Sequence, residues 1–434
     1  MEATAAAAAA KKRRFGRPTG QGPLGSDGLD HISRLPDAIL GEIISLLPTK
    51  DAARTQAVSR RWRPLWRATP LNLDVDSLST QERKRTMFVS RILASHPGPA
   101  RRLSLPFFRL RDRYAKLDGW LRSPALADLQ ELDFSYDIED EEALYPLPPS
   151  ALRFAPTLRV VELRTCHFPN GMAPALHFPR LARLTPYRVT ISEDTLHGLL
   201  SRCSALESLL LVGNFGIRRL RINSPSLRSL GFSASSWEGY RVLSDGISQL
   251  HLGTTIFQKM IAVNLTTSIR TVKVLVLDSN GPNLDVVVDF LKCFPCLEKL
   301  YVSHPHKVIK NIRSYDQLHP IECMELHLRK VVIRYYEGKR PDVDFAKFFV
   351  LNAKVLREMD FCSPSNRNLK WQDNQHRRLS LQNKASQVAQ FTFKTTSRTR
   401  NELTRNRHTH ELSMSDPFDF TSCLCSSCRF FFRL

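Results

Sequence analysis

The chain has 434 residues, of which 42% are hydrophobic and 24% are charged, the ordinary composition of a globular protein with two or three domains. Its formal net charge is +21 at pH 7, and no apolar run approaches the ~18 residues that a membrane-spanning helix needs. The nine cysteines are odd in number and scattered, which favours reduced thiols over a disulfide framework. We therefore expect a soluble protein of the nucleus, the cytoplasm or both.

Residues 1–26 predict a disordered basic arm. Within it, the segment KKRRFGRP places four basic side chains in a row, at Lys11, Lys12, Arg13 and Arg14. Such a cluster in a flexible segment is the pattern that an acidic nuclear-import receptor binds. A merely solvated arm is the alternative interpretation of the same residues.

Residues 27–76 carry start and stop signals for three short helices. Pro36 and Asp37 open the first helix, because proline fits a first turn and an acid is favoured at a helix N-terminus. Apolar residues at helical spacing then form one broad face, and Pro48 ends the helix. Three helices of this size bury little surface by themselves, so their apolar faces predict packing against something larger.

The segment LPDAILGEIISLLPTKDAARTQAVSRRWRPLW resembles the plant form of the F-box, with its LP start, I-L-x-x-I run and V-S-x-x-W-x-x-L-W close. In that family the segment binds the Skp-type adaptor of a cullin-based ubiquitin ligase. The resemblance therefore implies adaptor contacts through Leu35, Pro36, Ile39, Leu40, Ile43, Val58 and Trp62. The alternative is a three-helix lid in which the tryptophans only fill a core.

The pattern apolar-x-x-apolar-x-apolar recurs through the next part of the chain. Most central apolar residues lie between 20 and 30 positions apart, the period of a leucine-rich repeat, in which short strands stack to build a common core. We place the repeats at 100–333 and expect a β-rich stretch without helices around Leu220, where the steps are short. An ordinary α/β domain is the alternative. The eleven segments are LQELDF (129–134), LRVVELRT (158–165), LARLTPY (181–187), LESLLLVGN (206–214), IRRLRIN (217–223), LRSLGFS (227–233), ISQLHLG (247–253), VKVLVLD (272–278), LEKLYVS (297–303), CMELHLR (323–329) and LREMDF (356–361).

Residues 334–393 resemble the FBD region that ends many plant F-box and leucine-rich-repeat proteins. An amphipathic helix with Phe345, Phe348 and Phe349 leads into LREMDF, a basic QHRRL helix and a terminal AQFTF strand. The fold class that these resemblances imply is mixed α+β or α/β. It consists of a small three-helix F-box, an irregular leucine-rich-repeat solenoid and an FBD-like C-terminal cap. Residues 394–434 predict a basic, cysteine-containing tail without order.

Alternate side chains of the repeat strands are expected to face solvent on a concave surface. These positions mix acids and bases, so the surface is a poor match for a phosphate backbone and suits a protein or peptide target. A sheet that contacts little, with the target held by loops, is the alternative. The candidate target-binding residues are Glu162, Arg164, Leu210, Val212, Arg219, Arg221, Val276, Tyr301 and His327.

The sequence contains no catalytic motif, and we predict no cofactor and no metal site. Cys293 and Cys296 have CxxC spacing but are explained by core packing, and Cys423, Cys425 and Cys428 lack a clear fourth ligand. We therefore expect a non-catalytic substrate-recognition subunit of an SCF-type ligase, which binds a Skp-type adaptor, through it a cullin, and an unidentified protein target. The alternative is a nuclear scaffold or nucleic-acid-associated protein that uses the basic arm and tail.

Overall fold

A computed structural model describes twelve parts of the chain. These are residues 32, 34–47, 49–75, 78–79, 81–108, 114–136, 145–170, 176–233, 247–278, 283–303, 320–363 and 368–395. The predicted basic arm with its import cluster, and the tail beyond residue 395 with its cysteines, lie outside the described residues. No helix in the described ranges is long and apolar enough to cross a membrane, and these ranges hold no group of three or more potential metal ligands.

The described residues form ten α-helices and eighteen β-strands. The helices are α1 (Asp37–Leu46), α2 (Thr49–Arg54), α3 (Trp62–Ala68), α4 (Glu82–Ser95), α5 (Tyr114–Leu121), α6 (Glu193–Arg202), α7 (Leu284–Cys293), α8 (Glu322–Leu326), α9 (Arg340–Asn352) and α10 (Leu369–Arg378). The strands are β1 (Leu71–Asp74), β2 (Ala100–Phe108), β3 (Glu131–Tyr136), β4 (Tyr145–Pro146), β5 (Val160–Arg164), β6 (Cys166–His167), β7 (Arg183–Tyr187), β8 (Ser208–Leu211), β9 (Arg219–Ile222), β10 (Ser229–Ser233), β11 (Gln249–Leu252), β12 (Thr255–Gln258), β13 (Ile261–Asn264), β14 (Val274–Asp278), β15 (Lys299–Ser303), β16 (Lys330–Arg334), β17 (Glu358–Ser363) and β18 (Gln390–Thr395).

Twelve of these strands form one sheet in the order β1-β2-β3-β5-β7-β8-β10-β14-β15-β16-β17-β18, and every neighbouring pair in it is parallel. Eight of these strands are each preceded, two residues earlier, by a leucine that is buried on the face where the helices pack. One column of side chains therefore runs under successive strands and forms the centre of the core. Its leucines are Leu129, Leu158, Leu181, Leu206, Leu227, Leu297, Leu328 and Leu356.

A ladder of backbone hydrogen bonds joins the amino ends of these strands. The Arg357 N–H donates to the carbonyl of Arg329 at 2.8 Å, and the Arg329 N–H donates to the carbonyl of Glu298 at 2.8 Å. The same bond recurs from strand to strand between Gln130 and Gln390. The ladder fixes the residue at which each return segment, the stretch that connects one strand to the next, ends. Every strand therefore enters the sheet in one register.

A separate four-stranded sheet, ordered β13-β12-β11-β9, packs among the helices. Its Phe257 ring stacks on Phe290 of α7 with the ring centroids 4.5 Å apart, and Leu220 and Leu250 join the same core. The β-rich stretch that the short steps around Leu220 predicted is therefore confirmed. The segments IRRLRIN and ISQLHLG, however, do not add strands to the main sheet, because they pair with each other as β9 and β11.

The predicted strand at residues 323–329 is wrong. Glu322–Leu326 is the short helix α8, and the strand that joins the main sheet, β16, begins at Lys330. Cys323, Met324 and Leu328 are buried. The spacing of these three buried residues fits a helical turn as well as a strand. Short apolar runs of this kind do not distinguish the two structures by periodicity.

The last two strands carry the sheet through the segment that resembles an FBD region. β17 pairs with β16, and β18 pairs with β17 in parallel, from Gln390 opposite Glu358 onward. The Phe393 ring stacks on Phe361 at 4.8 Å and meets the edge of Trp371 of α10 at 5.5 Å. The same apolar core therefore extends to the end of the described chain.

Gly231 lies in β10 on the face opposite the helices, where neighbouring side chains occupy the place of its missing one. A Cβ atom built on Gly231 would lie 2.4 Å from Cδ1 of Leu210 and 3.1 Å from Cβ of Val276. We expect Gly231→Ala to lower the free energy of unfolding by about 1–3 kcal/mol through overpacking. Gly119→Ala is the matched control, since nothing lies within 4 Å of its added Cβ in α5, and it should stabilise by about 0.5–1 kcal/mol. Urea unfolding of the two variants measures both values, and equal stability would contradict the packing argument.

Candidate protein-binding surfaces

Helix α1 divides its apolar residues between the core and solvent. Leu40 and Ile44 are fully buried, whereas Ile39 is 42% exposed, Ile43 is 39% exposed and Leu46 is also exposed. The three exposed side chains recur at helical spacing and so share one face of the helix. We call Ile39, Ile43, Leu46 and Val58 the apolar helix surface, because Val58, just before α3, is 67% exposed and adds to the exposed apolar residues of this segment.

This surface corrects the residues predicted to contact an adaptor. Pro36 is exposed and Leu35 is half-buried, in agreement with a contact role, but Leu40 and Trp62 belong to the core. Trp62 lies at the start of α3, where the helix packs inward. Helical spacing placed Ile39, Leu40, Ile43 and Leu46 on one broad apolar face, but Leu46 was not among the predicted contacts. Only docking of the helices decides which half of that face stays in water.

Strand β1 holds the three small helices in place. The Thr49 hydroxyl of α2 donates to the carbonyl of Asn72, and the Asn72 side-chain amide donates to the carbonyl of Ser45 in α1. Trp66 of α3 meets the His96 ring edge-on, with the centroids 5.0 Å apart. These contacts make the helices continuous with the core of the main sheet, so the apolar helix surface is presented from a fixed base.

The face of the main sheet opposite the helices is buried, which corrects its predicted exposure. Val276 has no exposed surface, and Leu210, Val212 and Tyr301 are also buried, in a second apolar cluster. A period of two in the sequence reports on which side of a strand a residue lies and not whether that side is exposed to solvent. These four residues therefore do not form a solvent-exposed site for a target.

Glu162 and Arg164 belong to a buried ion cluster on that same face. Arg164 Nη1 lies 2.9 Å from Asp133 Oδ1, and its Nη2 lies 2.6 Å from Glu162 Oε2. Burial alone would lower the pKa of Arg164, but the two carboxylates outweigh burial and raise that pKa. Ser104 donates a further hydrogen bond of 2.9 Å to Asp133. These ion pairs and this hydrogen bond join β2, β3 and β5.

The three remaining candidates of the predicted target surface lie elsewhere. Arg219 and Arg221 are exposed on β9, in the four-stranded sheet, and Arg219 pairs with Glu193 of α6 at 3.2 Å. His327 is half-buried at the C-terminal end of α8. The structure therefore does not bring the nine candidates into one surface.

Five cysteines of the described chain are buried, and the pKa of four of them is shifted. Burial raises the pKa of Cys166, Cys203, Cys293 and Cys323 to about 12. At neutral pH these thiols stay protonated, and a protonated thiol is a poor nucleophile. For Cys293, at the end of α7, core packing explains the residue, as its CxxC context indicated.

Three family models match separate parts of the chain. The F-box domain matches residues 32–74, the repeats of "FBD-associated F-box protein At5g56370, LRR repeats" match residues 117–242 and 238–302, and FBD matches residues 316–361. The three matched regions follow one another in the order that the sequence predicted.

Curated relatives from Arabidopsis thaliana carry the same descriptions. F-box/LRR-repeat protein 13 is 30% identical over 50% of this chain, and the match spans about half (48%) of that relative's own length. FBD-associated F-box protein At5g56370 is 25% identical over 77% of this chain and 90% of its own length, and FBD-associated F-box protein At1g66310 is 25% identical over 68% and 69%.

Two substitutions on α1 separate the core half of the helix from the exposed half. We expect Leu40→Ala to lower the free energy of unfolding by about 2–5 kcal/mol, because it removes a fully buried side chain. Ile43→Ala should change it by less than about 1 kcal/mol, since Ile43 already faces solvent. Chemical denaturation of both variants measures the difference, and a larger loss for Ile43→Ala would reverse the assignment of the two faces.

Proposed function

We propose that this chain, which carries an F-box, leucine-rich repeats and an FBD region, is a non-catalytic substrate-recognition subunit of an SCF-type ubiquitin ligase. F-box proteins generally act as substrate receptors in such ligases. In this proposal the helices α1 to α3 bind the Skp-type adaptor, and through it a cullin. The main sheet and its return segments are the stacked repeats of a solenoid, which ends in an FBD-like cap and holds a protein target.

The apolar helix surface is the observation that carries the proposal. Ile39, Ile43, Leu46 and Val58 expose large apolar side chains within a short segment, whereas solitary exposed apolar residues are ordinary on protein surfaces. A contact centred on such residues, with charged neighbours such as Asp37 and Arg61 at its rim, has the composition of a protein–protein interface.

Ligation would then follow from proximity, without chemistry on this chain. A receptor that holds a target near an activated ubiquitin raises the effective concentration of the target's lysines. The anchoring of α1 and α2 on β1, through Thr49 and Asn72, supports this role because a rigid receptor fixes the distance between its two partners. We further propose that the protein works in the nucleus, the cytoplasm or both, with the basic cluster at Lys11–Arg14 as the import signal.

Adaptor binding tests the proposal directly. The full chain is titrated with a purified Skp-type adaptor and compared with the double variant Ile39→Glu/Ile43→Glu. We expect the double variant to weaken binding by at least about 100-fold, because interface hot spots contribute about 2 kcal/mol or more each. Glutamate favours helices, so the fold should be kept.

Val263→Glu is the matched control, because Val263 is a similarly exposed apolar residue on β13, away from α1. The control should bind the adaptor as the unmodified chain does. A folded chain that does not bind the adaptor would contradict the proposal. Salt-sensitive nucleic-acid binding in its place would favour the nucleic-acid-associated alternative.

A further inference from the structure

Four exposed arginines share one structural position along the main sheet. Arg159, Arg228, Arg329 and Arg357 each lie directly after a buried leucine and directly before a strand of the sheet. We call these four residues the arginine rim. Arg329 is among the bases that strand alternation places on the predicted concave surface, whereas Arg159, Arg228 and Arg357 lie just before their strands and outside the alternating positions.

The backbone ladder fixes the residues of the arginine rim in a row. Each of their carbonyls accepts from the next strand, and each N–H donates to the preceding one, as in the 2.8 Å bond from Arg357 to Arg329. Adjacent parallel strands are about 4.8 Å apart, so Arg329 and Arg357 project from neighbouring positions, and Arg228 lies three strands, or about 14 Å, from Arg329. Side chains that start from such a fixed row are pre-organised for a ligand that spans it.

The acids around Arg329 and Arg357 are already paired with other bases. Glu298 pairs with Lys273, Glu322 with Arg270, Glu325 with Lys354, and Glu358 with Lys330. Two adjacent arginines are therefore exposed, and the described residues place no carboxylate within 4.0 Å of either guanidinium group.

We propose that the arginine rim, centred on Arg329 and Arg357, binds an acidic segment of a protein target. The ligand chemistry is an oxyanion, either a carboxylate of Asp or Glu or a phosphate on a modified side chain, since the planar guanidinium binds both through paired hydrogen bonds. A second acidic group of the same segment would reach Arg228. This proposal deepens the receptor function, because it gives the class of target that the repeats recognise.

A protein segment fits this row better than a nucleic acid does. Between Arg228 and Arg329 the row holds Lys273 and Glu298, which neutralise each other, and Glu358 is exposed beside Arg357. A nucleic-acid backbone carries a phosphate at every nucleotide and would meet these carboxylates as well as the arginines. A peptide, in contrast, can carry acidic side chains at the positions opposite these guanidinium groups and uncharged side chains opposite the carboxylates.

Fluorescence anisotropy with the full chain tests the proposal. The probes are three labelled peptides of one length, which carry glutamates, phosphoserines or glutamines at the same positions, and a single-stranded DNA of matched charge. The variant is Arg329→Gln/Arg357→Gln. Its matched control is Arg122→Gln/Arg340→Gln, which removes the same charge from exposed arginines paired with Asp118 and Asp344.

We expect the glutamate or the phosphoserine peptide to bind, and the rim variant to weaken that binding about tenfold while the control variant leaves it unchanged. The peptide that binds more tightly identifies the oxyanion. Equal weakening in both variants would trace binding to the net charge of the chain and overturn the proposal. So would binding of neither acidic peptide, or tighter binding of the DNA that the rim variant abolishes. Because adaptor binding is not measured here, failure of this test leaves the apolar helix surface unaffected.

Discussion

The parallel pairing of successive strands is the constraint on which the rest of the structure depends. A single short strand with its return segment cannot bury an apolar side, so each one is stable only on its neighbours. Leu227, Leu297 and Leu356 form part of the column beneath the strands, and the backbone ladder sets the register above it. Both ends of the described chain are tied to this sheet, the amino-terminal helices through β1 and the carboxyl-terminal end through β18. The segment that matches FBD contributes β16 and most of β17.

This continuity gives the two candidate surfaces a fixed relation to the strands. The apolar helix surface is anchored at one end of the sheet by Asn72, and the arginine rim follows the amino ends of the strands through the backbone ladder. Ile39, Ile43 and Leu46 lie within helix α1, and the arginine rim is held by backbone hydrogen bonds where the strands begin. Such an arrangement suits a receptor that holds two partners, because neither surface has to become ordered before it binds its own partner.

The buried face of the sheet shows how an alternating pattern can mislead. Leu210 and Val276 occupy strand positions that point away from the helices, as their period-two spacing indicated, yet both are buried. Glu162 and Arg164 look like a charged target-binding pair in the sequence, but their counter-charges come from each other and from Asp133. Alternation indicates on which side of a strand a residue lies, but it does not indicate whether that side is exposed to solvent.

The sequence by itself determined the kinds of domain, their order and the positions of most strands, because these depend on local spacing. The signals were leucines at the repeat period, a proline and an acid at a helix start, and the F-box and FBD motifs. The tertiary structure alone decided which apolar residues remain exposed. Leu40 and Ile43 are equivalent in a helical pattern, and only the docking of α1 on α3 and β1 separates them into core and surface. It likewise decided that β9 and β11 leave the main sheet, and that Arg329 and Arg357 stand side by side with no carboxylate of the described residues within 4.0 Å of their guanidinium groups, since these outcomes depend on contacts between residues far apart in the chain.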